Sequence, residues 1–157
     1  PRHPQRFDEV AALLAARGIP YQRRSENTQI RDETRVVLGD SMGEMFTYYG
    51  AADVAIIGGS LLPYGGQNLI EACALGVPVI IGPHTYNFTQ VAQDAIAAGA
   101  ALRVVDASAA MAQAQRLLEN AADKQRMRDA AREFAAAHRG AVEKTMAAIE
   151  EKLLAAH

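Results

Sequence analysis

Cysteine is almost missing from this chain: Cys73 stands alone, so no intramolecular disulfide can form. It sits in the apolar run Leu69 to Leu75, where a buried structural thiol is expected rather than a nucleophile. Long hydrophobic runs are missing too. Stretches such as Val77 to Ile81 fall far below the roughly 20 residues that span a bilayer, and no signal-peptide pattern opens the chain, so it is not expected to be a membrane anchor itself. Nor does charge of one sign dominate. Sixteen Lys and Arg against 18 Asp and Glu give a net charge of −2, which draws the chain neither to nucleic acid nor to anionic lipid. Any anion must be bound by a local site. Low-complexity tracts and internal repeats are also absent. With 50% hydrophobic and 22% charged residues, 157 residues suit one soluble globular domain and leave no room for a second.

What is present is an alternation of short elements. Phe7, Val10, Leu13 and Leu14 fall at helical spacing, and Phe7 to Arg17 is expected to form a helix ended by Gly18. Short strands are expected at Tyr21 to Arg24 and Val36 to Leu38, on either side of the polar stretch Ser25 to Thr34. Ser41-Met42-Gly43-Glu44 has the form of a helix capping box and predicts a helix from Ser41 to about Ala51. Val54 to Ile57, closed by Gly58-Gly59, and Val77 to Ile81, closed by Gly82-Pro83, read as strands buried on both faces, with a helix from Asn68 to Ala74 between them. A helix over Phe88 to Ala98, a strand over Leu102 to Val105, and helices over Ala109 to Asn120, Lys124 to Ala137 and Ala141 to Ala155 complete the pattern.

Strands alternating with helices argue for βαβ units, and hence for an α/β fold with a Rossmann-like parallel sheet and helices on both faces. Ligands of such sheets bind beyond the carboxyl ends of the strands, which puts the loops Gly39 to Ser41, Gly58 to Gly66 and Gly82 to Asn87 on one rim. Four glycines in Gly58 to Gly66 let a ligand approach the backbone, and the start of the helix that follows suits a phosphate. Glu71 lies one turn after Asn68, where its carboxylate can accept from the paired hydroxyls of a ribose.

Glu71-Ala72 followed by Gly76-Val77-Pro78-Val79-Ile80 resembles the donor-binding motif of glycosyltransferases of the GT-B fold. Pro1-Arg2-His3-Pro4, Gly39-Asp40-Ser41-Met42-Gly43-Glu44, Gly58-Gly59-Ser60, Gly65-Gly66-Gln67-Asn68 and Gly82-Pro83-His84-Thr85-Tyr86-Asn87-Phe88 follow in the order found in 3-deoxy-D-manno-octulosonic acid (Kdo) transferases. Over residues 1 to about 105 the chain resembles the C-terminal, donor-binding half of that family.

The resemblance implies inverting transfer of Kdo from CMP-Kdo to the lipid A precursor, lipid IVA, in lipopolysaccharide synthesis at the cytoplasmic face of the Gram-negative inner membrane. It maps CMP contacts onto Pro1 and Arg2, onto Met42, Gly43 and Glu44, and onto Asn68, Leu69, Ile70 and Glu71. Arg2 would neutralise the phosphate, and Gly43 would let the cytosine meet backbone groups. Ser60, Gly65, Gly66, His84 and Asn87 are candidates for the loop around the donor sugar.

No catalytic residue is expected within the chain, because the family's general base, acceptor site and membrane-associating segment belong to an N-terminal domain. The family also has a strand just before Pro1-Arg2, at the centre of the sheet. No metal, cofactor or nucleic-acid partner is expected. The GT-B motif alone would also suit a UDP-sugar transferase or a sugar-nucleotide epimerase, and a nucleotide-binding module without activity is the reading from a different class. In the last helix, Val142, Met146, Ile149 and Leu153 form an apolar stripe expected to be partly exposed or borrowed by a neighbouring chain.

Overall fold

A computed structural model of the chain describes the backbone of residues 3–154 and the side chains of residues 3–140. The chain divides into two compact units, Pro1–Met45 and Phe46–His157.

The first unit holds α1 (Phe7–Ala16), β1 (Tyr21–Arg23) and β2 (Val36–Leu38). Gly18, at φ 62°, turns the chain out of α1 in the left-handed conformation expected there. The strands pair in parallel, Tyr21 against Val36 and Arg23 against Leu38. The polar stretch between them is organised around the buried Gln22 amide. Its nitrogen donates to Thr28 Oγ1 and the Gln29 carbonyl, each at 3.2 Å, and its oxygen accepts from the Arg31 amide at 2.8 Å and Thr34 Oγ1 at 2.5 Å. A buried amide satisfied on both ends lets this connection fold back with a single 3-10 turn, Arg24–Glu26, and no α-helix.

α2 (Met45–Gly50) leads into the second unit, with β3 (Ala55–Ile57), α3 (Ile70–Ala74), β4 (Val79–Ile81), α4 (Thr89–Ala97), β5 (Ala101–Arg103), α5 (Ala107–Glu119) and α6 (Ala121–Leu154). Its three strands run parallel in the order β3-β4-β5. Successive side chains of a strand point to opposite faces, and the central strand feeds two cores. Val79 and Ile81 enter one with Leu69, Cys73 and Phe134; Ile80 enters the other with Val104, Leu117 and Met127. The α/β class with parallel strands holds, divided between a two-stranded and a three-stranded sheet.

Several local expectations need correction, among them β5, which spans Ala101–Arg103 rather than Leu102 to Val105. No helix starts at Ser41: α2 begins at Met45, because Gly43 at φ 81° takes the chain out of the right-handed region, and the Ser41 hydroxyl bonds the Glu44 carboxylate. α5 begins before Ala109, at Ala107, since Asp106 Oδ1 accepts from the Ala109 amide at 2.7 Å and caps the first turn. The two final helices are one, α6, started where Asn120 Oδ1 accepts from the Asp123 amide at 3.0 Å. Gly140 does not interrupt it, because an interior glycine costs a helix only about 1 kcal/mol. The stripe Val142, Met146, Ile149 and Leu153 lies outside the residues whose side chains are described.

Cys73 is wholly buried in α3, and burial pushes its thiol up to about 12. Alkylation with iodoacetamide at pH 8 is therefore expected to leave Cys73 unmodified in the folded protein and to modify it after denaturation, as read by intact mass. The folded state holds this proton more tightly than the unfolded state. Cys73 thus contributes stability below the ordinary thiol value of 9.0 and loses it as pH rises from there toward about 12. Among the described residues no helix is long and apolar enough to cross a membrane, and no group of three His, Cys, Asp or Glu side chains could hold a metal ion.

Candidate functional site: the glycine loops beyond the parallel strands

In the second unit the carboxyl ends of the strands are level: Ile57, Ile81 and Arg103 are aligned across the sheet. Two loops leave this edge, 58–66 after β3 and 82–88 after β4, and they are bonded to each other at both ends. Nearest the sheet, the fully buried Ser60 hydroxyl donates to the Ile57 carbonyl at 2.5 Å and accepts from the Gly82 amide at 2.7 Å, while the Ser60 carbonyl accepts from the His84 amide at 2.9 Å. Further out, the Asn87 amide donates to the Gly65 carbonyl at 3.2 Å, Asn87 Nδ2 to the Tyr64 carbonyl at 3.3 Å, and the Tyr86 hydroxyl to the Pro63 carbonyl at 2.7 Å.

The glycines permit this closeness. A Cβ on Gly82 would lie 2.3 Å from the Ser60 carbonyl oxygen, and one on Gly65 would lie 2.3 Å from Asn87 Nδ2, at φ 83°. Gly66, at φ 81°, passes under the His84 carbonyl. Ser60, Gly65, Gly66, His84 and Asn87 are therefore brought together. Ser60 serves the loop from inside, and His84 is half-buried.

α3 follows loop 58–66. Asn68 Oδ1 accepts from the Ile70 amide at 3.0 Å and orders the first turn, so the helix starts two residues later than its sequence suggests. Leu69 is buried and Ile70 and Glu71 half-buried. Among the described residues none hydrogen-bonds or ion-pairs with the Glu71 carboxylate. Tyr49 lies close to it: burial pushes the Tyr49 phenol above its ordinary value, and the Glu71 charge adds to the shift. Thr85 is 7% exposed, and its hydroxyl accepts from Arg103 Nη2 at 3.1 Å. Tyr49 and Arg103 lie in no motif, and Thr85, within the Gly82 to Phe88 motif, was not among the site candidates. The signal that marks Arg103 is positional, a lone cation ending a short apolar strand.

In the first unit the loop after β2 is held by its own polar network. The Asp40 carboxylate accepts from the Ser25 amide at 2.8 Å and the Ser25 hydroxyl at 2.6 Å. Desolvation pushes its pKa up, but the Ser25 bonds and the nearby Arg23 charge outweigh that and hold it below the usual carboxylate range. Glu44 accepts from Arg24 Nη2 at 2.9 Å. Met42 is exposed, and among the described residues nothing lies within 4 Å of where a side chain on Gly43 would stand. Pro1 and Arg2 lie outside the described residues.

Residues 19–134 match the family described as "Glycosyl transferases group 1". The chain is 57% identical over 154 residues to a 3-deoxy-D-manno-octulosonic acid transferase of Bordetella pertussis, covering 98% of this chain and 36% of that protein. It is 38% identical over 147 residues to the protein of the same name from Haemophilus influenzae, covering 93% of this chain and 34% of that one. The chain thus spans about a third of the length of these relatives. A solved structure, the C-terminal CMP-Kdo binding domain of WaaA from Acinetobacter baumannii, superposes with a TM-score of 0.82 at 34% identity, covering 85% of this chain and 70% of that one. The family match, the Kdo transferase relatives and the superposition accordingly place the chain among the group 1 glycosyl transferases, in the Kdo transferase branch, with a C-terminal domain as its structural counterpart.

Proposed function

We propose that this chain is the donor-binding domain of an enzyme that transfers Kdo from CMP-Kdo to a lipid A precursor, lipid IVA, at the cytoplasmic face of the inner membrane. The observation that carries the reading is Glu71: a half-buried carboxylate without a hydrogen-bond partner among the described residues, one turn from Asn68 and directly after the tied glycine loop. Desolvating a carboxylate is costly unless hydrogen bonds compensate, and two ribose hydroxyls supply them.

In this reading Asn68, Leu69, Ile70 and Glu71 take the ribose and phosphate. Pro1 and Arg2 assist at the phosphate, and the backbone of Met42, Gly43 and Glu44 meets the cytosine. Ser60, Gly65, Gly66, His84 and Asn87 shape the loop beside the sugar. The acceptor hydroxyl attacks the anomeric carbon as the bond to the phosphate oxygen breaks, CMP leaves, and the configuration inverts. The proton passes to a general base that we assign, with the acceptor site and membrane association, to the remainder of the protein. The work of this chain is to hold the leaving nucleotide in register, which lowers the entropic part of the barrier.

Base selectivity tests the reading. Cytosine offers an exocyclic amine donor where uracil offers a carbonyl acceptor, and backbone groups distinguish the two. Titration of the full-length protein is expected to show CMP bound at least tenfold more tightly than UMP or AMP. Equal affinity for CMP and UMP would sink the Kdo assignment and favour a UDP-sugar enzyme.

A further inference from the structure

We propose that Arg103 binds the carboxylate of the donor's sugar acid; the inference rests on the donor reading above. Arg103 is the last residue of β5, aligned with Ile57 and Ile81, the residues from which the two glycine loops depart. Its guanidinium reaches loop 82–88, where Nη2 donates to Thr85 Oγ1 at 3.1 Å. Thr85 is itself fixed: it is nearly buried, and its carbonyl accepts from the Phe88 amide at 2.9 Å and from Thr89 Oγ1 at 3.3 Å. One arm of the fork is thereby anchored on this loop, and its other donors have no hydrogen-bond partner among the described residues.

The charge of this arginine also has no carboxylate beside it among the described residues. Arg23, Arg24 and Arg116 each hold a carboxylate at 2.6 to 2.9 Å, whereas no Asp or Glu among the described residues lies within ion-pair distance of Arg103. The acid nearest in sequence, Asp106, is engaged in capping α5. An anchored guanidinium without a counter-charge, at the ligand-facing end of a parallel sheet, is shaped for a planar anion that offers two oxygens.

The donor carries two anions, the nucleotide phosphate and the carboxylate on the anomeric carbon of the ulosonic acid. Arg103 is bonded to the loop that holds His84 and overlies Gly66, not to the Asn68–Glu71 segment. That placement favours the carboxylate. It also gives the site a means of selecting an acidic sugar over a neutral one, because a neutral sugar would leave the cation uncompensated.

The test compares two ligands on the full-length protein: the KM for CMP-Kdo, and the inhibition constant of CMP alone. Arg103→Gln is expected to raise the donor KM at least tenfold while changing CMP inhibition less than twofold. Arg103→Lys, which keeps the charge and loses the fork, is expected to fall between. Thr85→Val, which releases the anchor, is expected to raise the donor KM by a smaller factor. Equal weakening of CMP-Kdo and CMP by Arg103→Gln would identify a phosphate contact and overturn the carboxylate assignment. So would an unchanged donor KM in a protein that binds CMP and transfers Kdo normally. A wild-type protein that neither binds CMP nor uses CMP-Kdo would instead overturn the donor reading itself, and the two failures are told apart before any variant is made.

Discussion

Glu71→Gln is expected to weaken CMP binding by about 1 to 3 kcal/mol, roughly 5- to 150-fold in Kd, in calorimetry on the full-length protein. A carboxylate accepts two hydroxyls with full charge; the amide keeps one neutral acceptor and turns its other end into a donor facing a donor. Folding should be little affected, because no described residue hydrogen-bonds to this side chain, so the melting temperature serves as an internal control. The 2′-deoxy form of CMP sharpens the result. Wild type should bind it less tightly than CMP, and the variant should treat the two more nearly alike. If wild type does not distinguish ribose from deoxyribose and the variant binds as wild type does, Glu71 has another task.

The other large effect is structural. Gly82→Ala is expected to destabilise the protein by about 1 to 3 kcal/mol, because the new methyl would meet backbone, the Ser60 carbonyl oxygen at 2.3 Å and Leu61 Cα at 2.7 Å, rather than a side chain that can swing away. For a protein of this size that is a fall in melting temperature of about 2 to 12 °C. Separating the loops would also strain the bonds from the Gly82 amide to Ser60 Oγ and from the His84 amide to the Ser60 carbonyl. Gly140→Ala provides the contrast: among the described residues nothing outside its own stretch of helix lies within 4 Å of its new methyl, it sits inside α6, and the same substitution there should stabilise by up to about 1 kcal/mol. Equal melting of Gly82→Ala and wild type would show that the close approach of the two loops is not needed.

Where the sequence was readable, the reason lies in interactions that are local in the chain. Val36 to Leu38 is a strand as expected, and the runs ending at Ile57 and Ile81 stop where glycine follows. β4 begins two residues later than the apolar run because Pro78 has no amide to donate, although its carbonyl still accepts from the Ala55 amide at 2.9 Å. Helix starts were harder. Ser41 and Glu44 have the spacing of a capping box, yet the helix starts only at Met45, whereas Asp106 and Asn120, which do cap helices, stand before alanine-rich turns that give little periodic signal. Among the site candidates, the glycine loops and Glu71 were legible from composition and motif. The bonds that tie Ser60 to Gly82 and Asn87 to Tyr64 join residues 22 and 23 positions apart, and no local pattern encodes them. Arg103 was hidden for a similar reason: read as the interior of a strand ending at Val105, it is in fact the strand's last residue.

The tie between the two loops also bears on when order is acquired. A glycine-rich loop left free would lose about 1 to 2 kcal/mol of backbone entropy per residue on being fixed around a ligand, and affinity would fall accordingly. Here Gly66, Gly82, His84 and Asn87 already donate their amides within the protein, to Gly59, Ser60 and Gly65. That loss is therefore incurred during folding rather than at each encounter with the nucleotide, and a turnover cycle of capture and release need not melt and rebuild the surface that receives it.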